Sequence, residues 1–262
     1  MTTPSKKPLL AAFDFDFTLV EDDSDGYIFD VLSPGLRQKM TELQGKVQWT
    51  DLVVSSKQPL TCLINYINTA TLQHQLLGEL HQEGKTKQQI IEAIGTIPFN
   101  PAIITMFGTI KAAGGDIIIV SDANTVYIDE ILKAKNARQY ITEIVSNPGT
   151  WGPDERLSVT RRVKPPAVHG CKGVCSLNLC KGMEMIERME GYELVLYGGD
   201  GRNDHCPMTK LKKGDVALAR TGHSLEKLVK SDVKHLEAIQ ARALWWNTPE
   251  ELLGHVQKVL SH

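Results

Sequence analysis

No stretch of this chain is long and apolar enough to cross a bilayer. The 29 Lys and Arg nearly balance the 31 Asp and Glu, for a formal charge of −2. That leaves no excess of positive charge to track a nucleic-acid backbone, so neither a membrane nor a nucleic acid is an expected partner. Cysteine is scarce, and five in 262 residues is an odd count that fits reduced thiols or a metal better than a disulfide framework. There is no internal repeat and no low-complexity segment, which removes solenoids and disordered tails from consideration. Residues 1–8 carry Lys6 and Lys7 but run at once into an apolar segment that turns acidic, too short for a secretory leader. A cytoplasmic protein is the expectation. The length suffices for one large domain or for a domain with an inserted lobe.

Against that background stands the run Leu9-Leu10-Ala11-Ala12-Phe13, which ends abruptly in Asp14-Phe15-Asp16-Phe17-Thr18. Its continuous apolarity predicts a strand buried on both faces, as in parallel sheets covered by helices. Ligands of such sheets bind beyond the carboxyl ends of the strands. Asp14 and Asp16 therefore fall where a charged nucleophile and a metal can meet a substrate, although two Asp residues can also simply form a turn.

From residue 33 to 95 the pattern is helical. Ser33-Pro34 starts one helix, Leu60, Leu63, Ile64 and Ile67 mark another, and Leu72, Leu76, Leu77 and Leu80 a third. Thr86 and Gln89 form a capping box in front of a further helix that Gly95 ends. Several consecutive helices without a strand exceed one crossover, so residues 25–97 are expected to form a helical cap inserted in a core of residues 1–24 and 98–262. Alternating order then returns. Asn100-Pro101 opens a helix, and Asp116-Ile117-Ile118-Ile119-Val120 is a second buried strand running into Ser121-Asp122-Ala123-Asn124. A helix over about 125–135 and a short strand over 141–145 come next, and residues 147–179 look irregular and poor in core. Lys181 opens a helix, Leu194-Val195-Leu196-Tyr197 is a third buried strand ending in Gly198 to Asp204, and a last strand over 215–219 precedes a terminal helix capped by Thr248.

Three strand ends thus bring Asp14 and Asp16, Ser121, and Asp200 with Asp204 to one edge. Clustered carboxylates repel unless a cation compensates, and hard oxygen ligands without His or Cys suit Mg²⁺. The Ser121 hydroxyl and the Lys181 ammonium are the groups needed around a transferring phosphoryl group. Lys181 as a solvated charge and Asn203 as a turn former are the bland alternatives.

The ordered set Asp14-x-Asp16-x-Thr18, Ser121, Lys181 and Gly199-Asp200-Gly201-x-Asn203-Asp204 resembles the four motifs of the haloacid dehalogenase superfamily of phosphatases, and it spans nearly the whole chain. Finer details resemble the phosphoethanolamine/phosphocholine phosphatase family and its pyridoxal phosphate phosphatase relatives: Asp22 and Ser24-Asp25 after the first motif, Ser121-Asp122-Ala123-Asn124-Thr125, a Cys-rich run ending Cys180-Lys181, and Cys206-Pro207 after the last. Three departures stand out. Phe17 replaces a small, polar or acidic residue, Gly198 replaces a branched aliphatic, and the Cys spacing is one residue longer than in the animal members.

The resemblance implies an α/β, Rossmann-like parallel sheet with helices on both faces and an inserted helical cap. It also implies Mg²⁺-dependent hydrolysis of a small phosphomonoester. Asp14 would be the nucleophile, Asp16 the general acid and base, and Ser121 and Lys181 the phosphoryl ligands. The metal would be held by Asp14, the Asp16 backbone carbonyl, Asp200 and Asp204. Asp25, Asp122 and Asn124 are the substrate-binding candidates, Asp25 and Asp122 suiting an ester whose far end is a cation, such as phosphoethanolamine or phosphocholine. Pyridoxal phosphate or thiamine monophosphate is the alternative substrate, and a binding module that has lost its chemistry is the second alternative. His169, Cys171, Cys175 and Cys180 number enough for a structural Zn²⁺, but they lack the close Cys pair of zinc fingers, so ordinary thiols remain the other reading.

Overall fold

The computed structural model describes residues 6–43, 72–164, 167 and 169–261. Strands β1 (Lys7–Phe13), β2 (Asp116–Asn124), β3 (Glu143–Asn147), β6 (Tyr192–Gly199), β7 (Val216–Arg220) and β8 (Arg242–Trp246) form one parallel sheet in the order β3-β2-β1-β6-β7-β8. Strands β4 (Gly149–Trp151) and β5 (Leu157–Val159) make a separate antiparallel pair.

The apolar runs have a simple cause. Leu9, Ala11 and Phe13 of β1 point into one core while Leu10 and Ala12 point into another, and Ile117/Ile119 against Ile118/Val120 divide in the same way along β2. Because both faces are covered, every position must be apolar, and alternation with polar residues disappears. The first core is closed by α5 (Pro101–Ala112), α6 (Thr125–Ala134) and α9 (Pro249–Leu260), through Ile103, Phe107, Ile128, Leu252 and Val256. The second is closed by α7 (Lys181–Arg188) and α8 (Ser224–Ser231), through Met185, Leu225 and Val229. Asn100 and Thr248 cap their helices through side-chain oxygens, each followed by proline at the first helical position.

Between β1 and α5 lie α1 (Ser24–Leu32), α2 (Pro34–Leu43), α3 (Leu72–Gln82) and α4 (Lys87–Gly95). Both bonds of the Thr86/Gln89 capping box are present. Leu72, Leu76, Leu77 and Leu80 of α3 are all buried and join the first core, as do Leu157 and Val159 of β5. The Leu60–Ile67 series lies outside the described residues.

Some elements differ from expectation. β8 is an additional strand. The supposedly irregular segment after Asn147 contains the β4–β5 hairpin, whose three-residue strands are too short to register as a pattern. β2 continues to Asn124 with a register shift after Val120, so Ser121 sits at an irregularity in the strand rather than beyond its end. From β1 the chain moves outward through β2 and β3, then returns to the other side of β1 with β6, β7 and β8. The crevice at the carboxyl ends of β1 and β6 is therefore the reversal point where sheets of this kind bind ligands.

Candidate active site

Asp14 continues the pairing of β1 with β6 by one residue, its backbone N–H donating to the Gly198 carbonyl at 2.9 Å. Its Oδ2 lies 2.7 Å from Lys181 Nζ, and that ammonium also donates to Asp204 Oδ1 at 2.8 Å. Lys181 opens α7 and is only 1 % exposed. Asp204 is saturated. Tyr197, from inside β6, donates its hydroxyl to Oδ1 at 2.7 Å, and the N–H groups of Asp200 and Gly201 donate to Oδ2 at 3.1 and 2.8 Å. Gly199 has no side chain because the Asp204 carboxylate occupies the space where a Cβ would stand. Burial alone would lower the Lys181 pKa, but Asp14, Asp204 and Asp122 outweigh it and hold the ammonium above its ordinary range. Burial raises the Asp14 carboxyl well above the usual carboxylate range, Asp204 and Asp200 adding to the effect and Lys181 opposing it.

Asp200 completes the cluster. It accepts from Thr18 Oγ1 at 3.2 Å and lies 3.1 Å from His223 Nδ1. The His223 ring rests 5.4 Å from that of Phe17, whose φ of 53° is left-handed. For a residue with a Cβ this conformation costs roughly 1–2 kcal/mol. Arg220 holds it, donating to the Phe17 carbonyl and, at 2.6 Å, to Glu21, while its guanidinium lies over the Trp246 ring at 4.9 Å. One carboxylate oxygen from each of Asp14, Asp200 and Asp204 lies within 4.8 Å of the other two. Three hard anions with Lys181 as the buried cation among them suit Mg²⁺ in donor type and charge.

Asp16 accepts from the Ser24 N–H at 3.1 Å. Burial, then Asp23, Asp25 and Asp14, raise its carboxyl well above the usual range. Asp25 is buried at the start of α1, where Gln73 of α3 donates to it and its own N–H donates to Asp23, the N-cap of that helix. Ser121 is buried, and its Oγ accepts from the Ala123 N–H at 3.2 Å. Asp122 is occupied: Asn203 and Ser176 donate to Oδ2 at 2.6 and 3.2 Å, and Asn178 to Oδ1 at 3.4 Å. Burial raises it, with Lys181 opposing. Asn124 caps α6 through Oδ1, at 3.0 Å from the Tyr127 N–H.

Asp14, Lys181, Asp200 and Asp204 are thus in one cluster. Asp16 and Asp25 lie beside it on the side of α1, and Asp122 and Asn124 are committed to a loop network and a helix cap. Tyr197 and His223 escaped the sequence reading. Tyr197 looks like any apolar strand residue, and His223 lies past β7 with no charged residue between to draw attention; for His223, its position just past the carboxyl end of a strand was the available signal. The Gly198 departure also has a cause, because a Cβ there would lie 2.6 Å from the Phe13 ring, which fills the space instead.

A parallel sheet of this order, with these acids at its reversal point, is the setting of a phosphatase. Residues 9–260 match the family described as "Putative Phosphatase", and the chain belongs to that family. It is similar to human pyridoxal phosphate phosphatase PHOSPHO2, 27 % identical over 259 residues that cover 95 % of this chain and 97 % of the relative. It is also similar to inorganic pyrophosphatase 1 of Arabidopsis thaliana, 30 % identical over 237 residues covering 86 % and 71 %. The fold is shared with a phosphoserine phosphatase solved as a phospho-aspartyl intermediate analogue: TM-score 0.56, 18 % identity, 96 % of this chain and 99 % of that one covered.

Proposed function

We propose that this phosphatase hydrolyses small phosphomonoesters through an aspartyl-phosphate on Asp14, with Mg²⁺ held by Asp14, Asp200, the Asp16 carbonyl and, through its orienting contacts, Asp204. The observation that carries the reading is the buried Lys181 ammonium bridging Asp14 and Asp204 at the sheet's reversal point. When bound, the cation offsets charge on the phosphoryl oxygens and on the carboxylates. Lys181 and Ser121 hold the phosphoryl oxygens. An Asp14 oxygen bonds to phosphorus as the bond to the ester oxygen breaks, and Asp16 gives that oxygen its proton. Asp16, now ionised, then takes a proton from water. The water oxygen bonds to phosphorus and the Asp14 carboxylate leaves, which restores the starting state. Burial beside Asp23 and Asp25 raises the Asp16 carboxyl, the direction the first step needs, whereas Asp14, raised as well, has the Lys181 ammonium at 2.7 Å to favour its anion.

Residues 25–97 act as the cap in this reading, with Asp25 and Asp23 near Asp16 on the leaving-group side. Carboxylates in a partly desolvated crevice favour a leaving group bearing a basic nitrogen. Phosphoethanolamine and phosphocholine satisfy that condition. Pyridoxal phosphate satisfies it too through its ring nitrogen, and the name of the human relative favours it. Asp122, with three donors already on its oxygens, serves this reading less than Asp25 does. The test is phosphate release, with and without Mg²⁺, from these esters beside p-nitrophenyl phosphate, thiamine monophosphate, phosphoserine and pyrophosphate. Turnover no greater than that of Asp14→Asn would overturn the enzymatic assignment, and a preference for pyrophosphate or anionic esters would overturn the choice of leaving group.

A further inference from the structure

Four cysteines meet next to the carboxylate cluster without belonging to it. The Sγ atoms of Cys171 and Cys175 are 3.6 Å apart, those of Cys175 and Cys180 3.4 Å, Cys180 and Cys206 3.7 Å, and Cys171 and Cys206 3.7 Å. All four lie within 4.8 Å of one another. A zinc–thiolate bond of about 2.3 Å places the sulfurs of a regular tetrahedron about 3.8 Å apart. A disulfide needs about 2.05 Å, so the observed arrangement is four separate sulfurs around a common centre.

The surroundings suit thiolates. The backbone N–H of Met183 donates to Cys180 Sγ at 3.4 Å and that of Gly173 to Cys171 Sγ at 3.3 Å. Cys180 is also the N-cap of α7, where the helix dipole favours negative charge. Gly182 is what admits Cys206, since a Cβ at that position would lie 2.5 Å from the Cys206 sulfur. His169, the fourth ligand expected from sequence, is excluded. Its Nε2 is 2.9 Å from the Ser176 carbonyl, and its Nδ1 accepts from the Cys171 N–H at 3.1 Å. Cys206 replaces it from the far end of the catalytic loop, 26 residues beyond Cys180 in the chain. Ordinary buried thiols behave as small apolar groups, yet Cys171 and Cys175 are only partly buried, in a segment poor in apolar residues.

We propose that Cys171, Cys175, Cys180 and Cys206 bind one structural Zn²⁺. Four soft thiolates in tetrahedral array with no open position match that ion, whereas the neighbouring carboxylates suit Mg²⁺, so the two sites sort metals by ligand hardness. Cys180 directly precedes Lys181, and Cys206 follows Asp204 by two residues. The ion therefore clamps together the two segments that supply the 2.8 Å contact between Lys181 and Asp204.

The test uses the full-length protein purified without chelators. Elemental analysis should find one zinc per chain. A mercurial thiol reagent should release that zinc as it consumes the four thiols, and cobalt substitution should give the absorption of a tetrahedral thiolate complex. Cys171→Ser, at the more exposed edge of the cluster, should lose the zinc and melt more than about 5 °C lower. If that variant fails to fold, the wild-type zinc content still decides. Substoichiometric zinc, iron in its place, or a mass two hydrogens short that reports a disulfide would each overturn the proposal. None of these readouts depends on phosphatase activity, so the zinc site and the proposed reaction stand or fall separately.

Discussion

Tyr197 donates its hydroxyl to Asp204 Oδ1 at 2.7 Å from within a strand of the sheet. The acceptor is the same oxygen that receives Lys181, so a residue of the hydrophobic second core fixes the carboxylate that fixes the ammonium. Tyr197→Phe keeps the ring and its packing and leaves Asp204 one donor short. The loss should destabilise the fold by about 1–3 kcal/mol and lower kcat more than it raises KM, because the misplaced Lys181 ammonium matters most where charge builds on the phosphoryl oxygens in the transition state. Steady-state kinetics with a denaturant titration checks both; a pure KM effect would contradict this role for Tyr197.

Asp16 separates substrates by leaving group. Asp16→Asn should cost on the order of 10²–10⁴ in the phosphorylation step for an alkyl phosphate and far less for p-nitrophenyl phosphate, whose leaving group hardly needs a proton. Single-turnover measurements on both esters make the comparison, and equal losses would remove the general acid from the mechanism.

Far from the site, at the amino end of the sheet, Lys7 donates to Asp116 at 2.8 Å, and Tyr192 and Thr142 donate to the same carboxylate. The Lys7 bond, ahead of the smaller contributions of Tyr192 and Thr142 and against partial burial, holds Asp116 down to about 2. A carboxyl depressed in the fold contributes stability that is complete above its unfolded value near 4 and is lost as pH falls towards 2. Asp116→Asn should therefore cost about 1 kcal/mol at pH 7, a figure kept small by the exposure of Lys7, and should cost nothing below about pH 2. Urea denaturation of both proteins across this range measures the difference.

Gly198 and Phe13 form a size-matched pair. Gly198→Val, the residue type expected from the resemblance, should destabilise by roughly 1–3 kcal/mol through overpacking. Phe13→Leu in the same chain should recover part of the loss by vacating the space. Additive losses would show that the two positions do not share it.

Much of this was legible in the sequence for one reason: strands covered on both faces must be wholly apolar, and where they stop a charged residue is conspicuous. Asp14 and Asp200 were found that way. β8 was not, because its apolar run Ala243-Leu244-Trp245-Trp246 is short, its residues are mostly half-exposed, and only Trp246 is buried. The partners of the acids were hidden as well. Asp122 looks like a spare anion until Asn203, Ser176 and Asn178 are seen to converge on it from two distant segments. Cys206 lies too far along the chain from Cys180 for spacing to connect them. Pairings set by tertiary approach leave no periodic trace.

The central claim is that Asp14 carries the phosphoryl group. Asp16→Asn mixed with Mg²⁺ and p-nitrophenyl phosphate should phosphorylate readily but hydrolyse slowly, so the intermediate should accumulate. After acid quench, peptide mass spectrometry should find one hydroxylamine-labile phosphoryl group on Asp14, absent when Asp14→Asn is added to the same chain. Turnover with no phosphorylated peptide, or with the phosphoryl group on any other residue, would contradict the account.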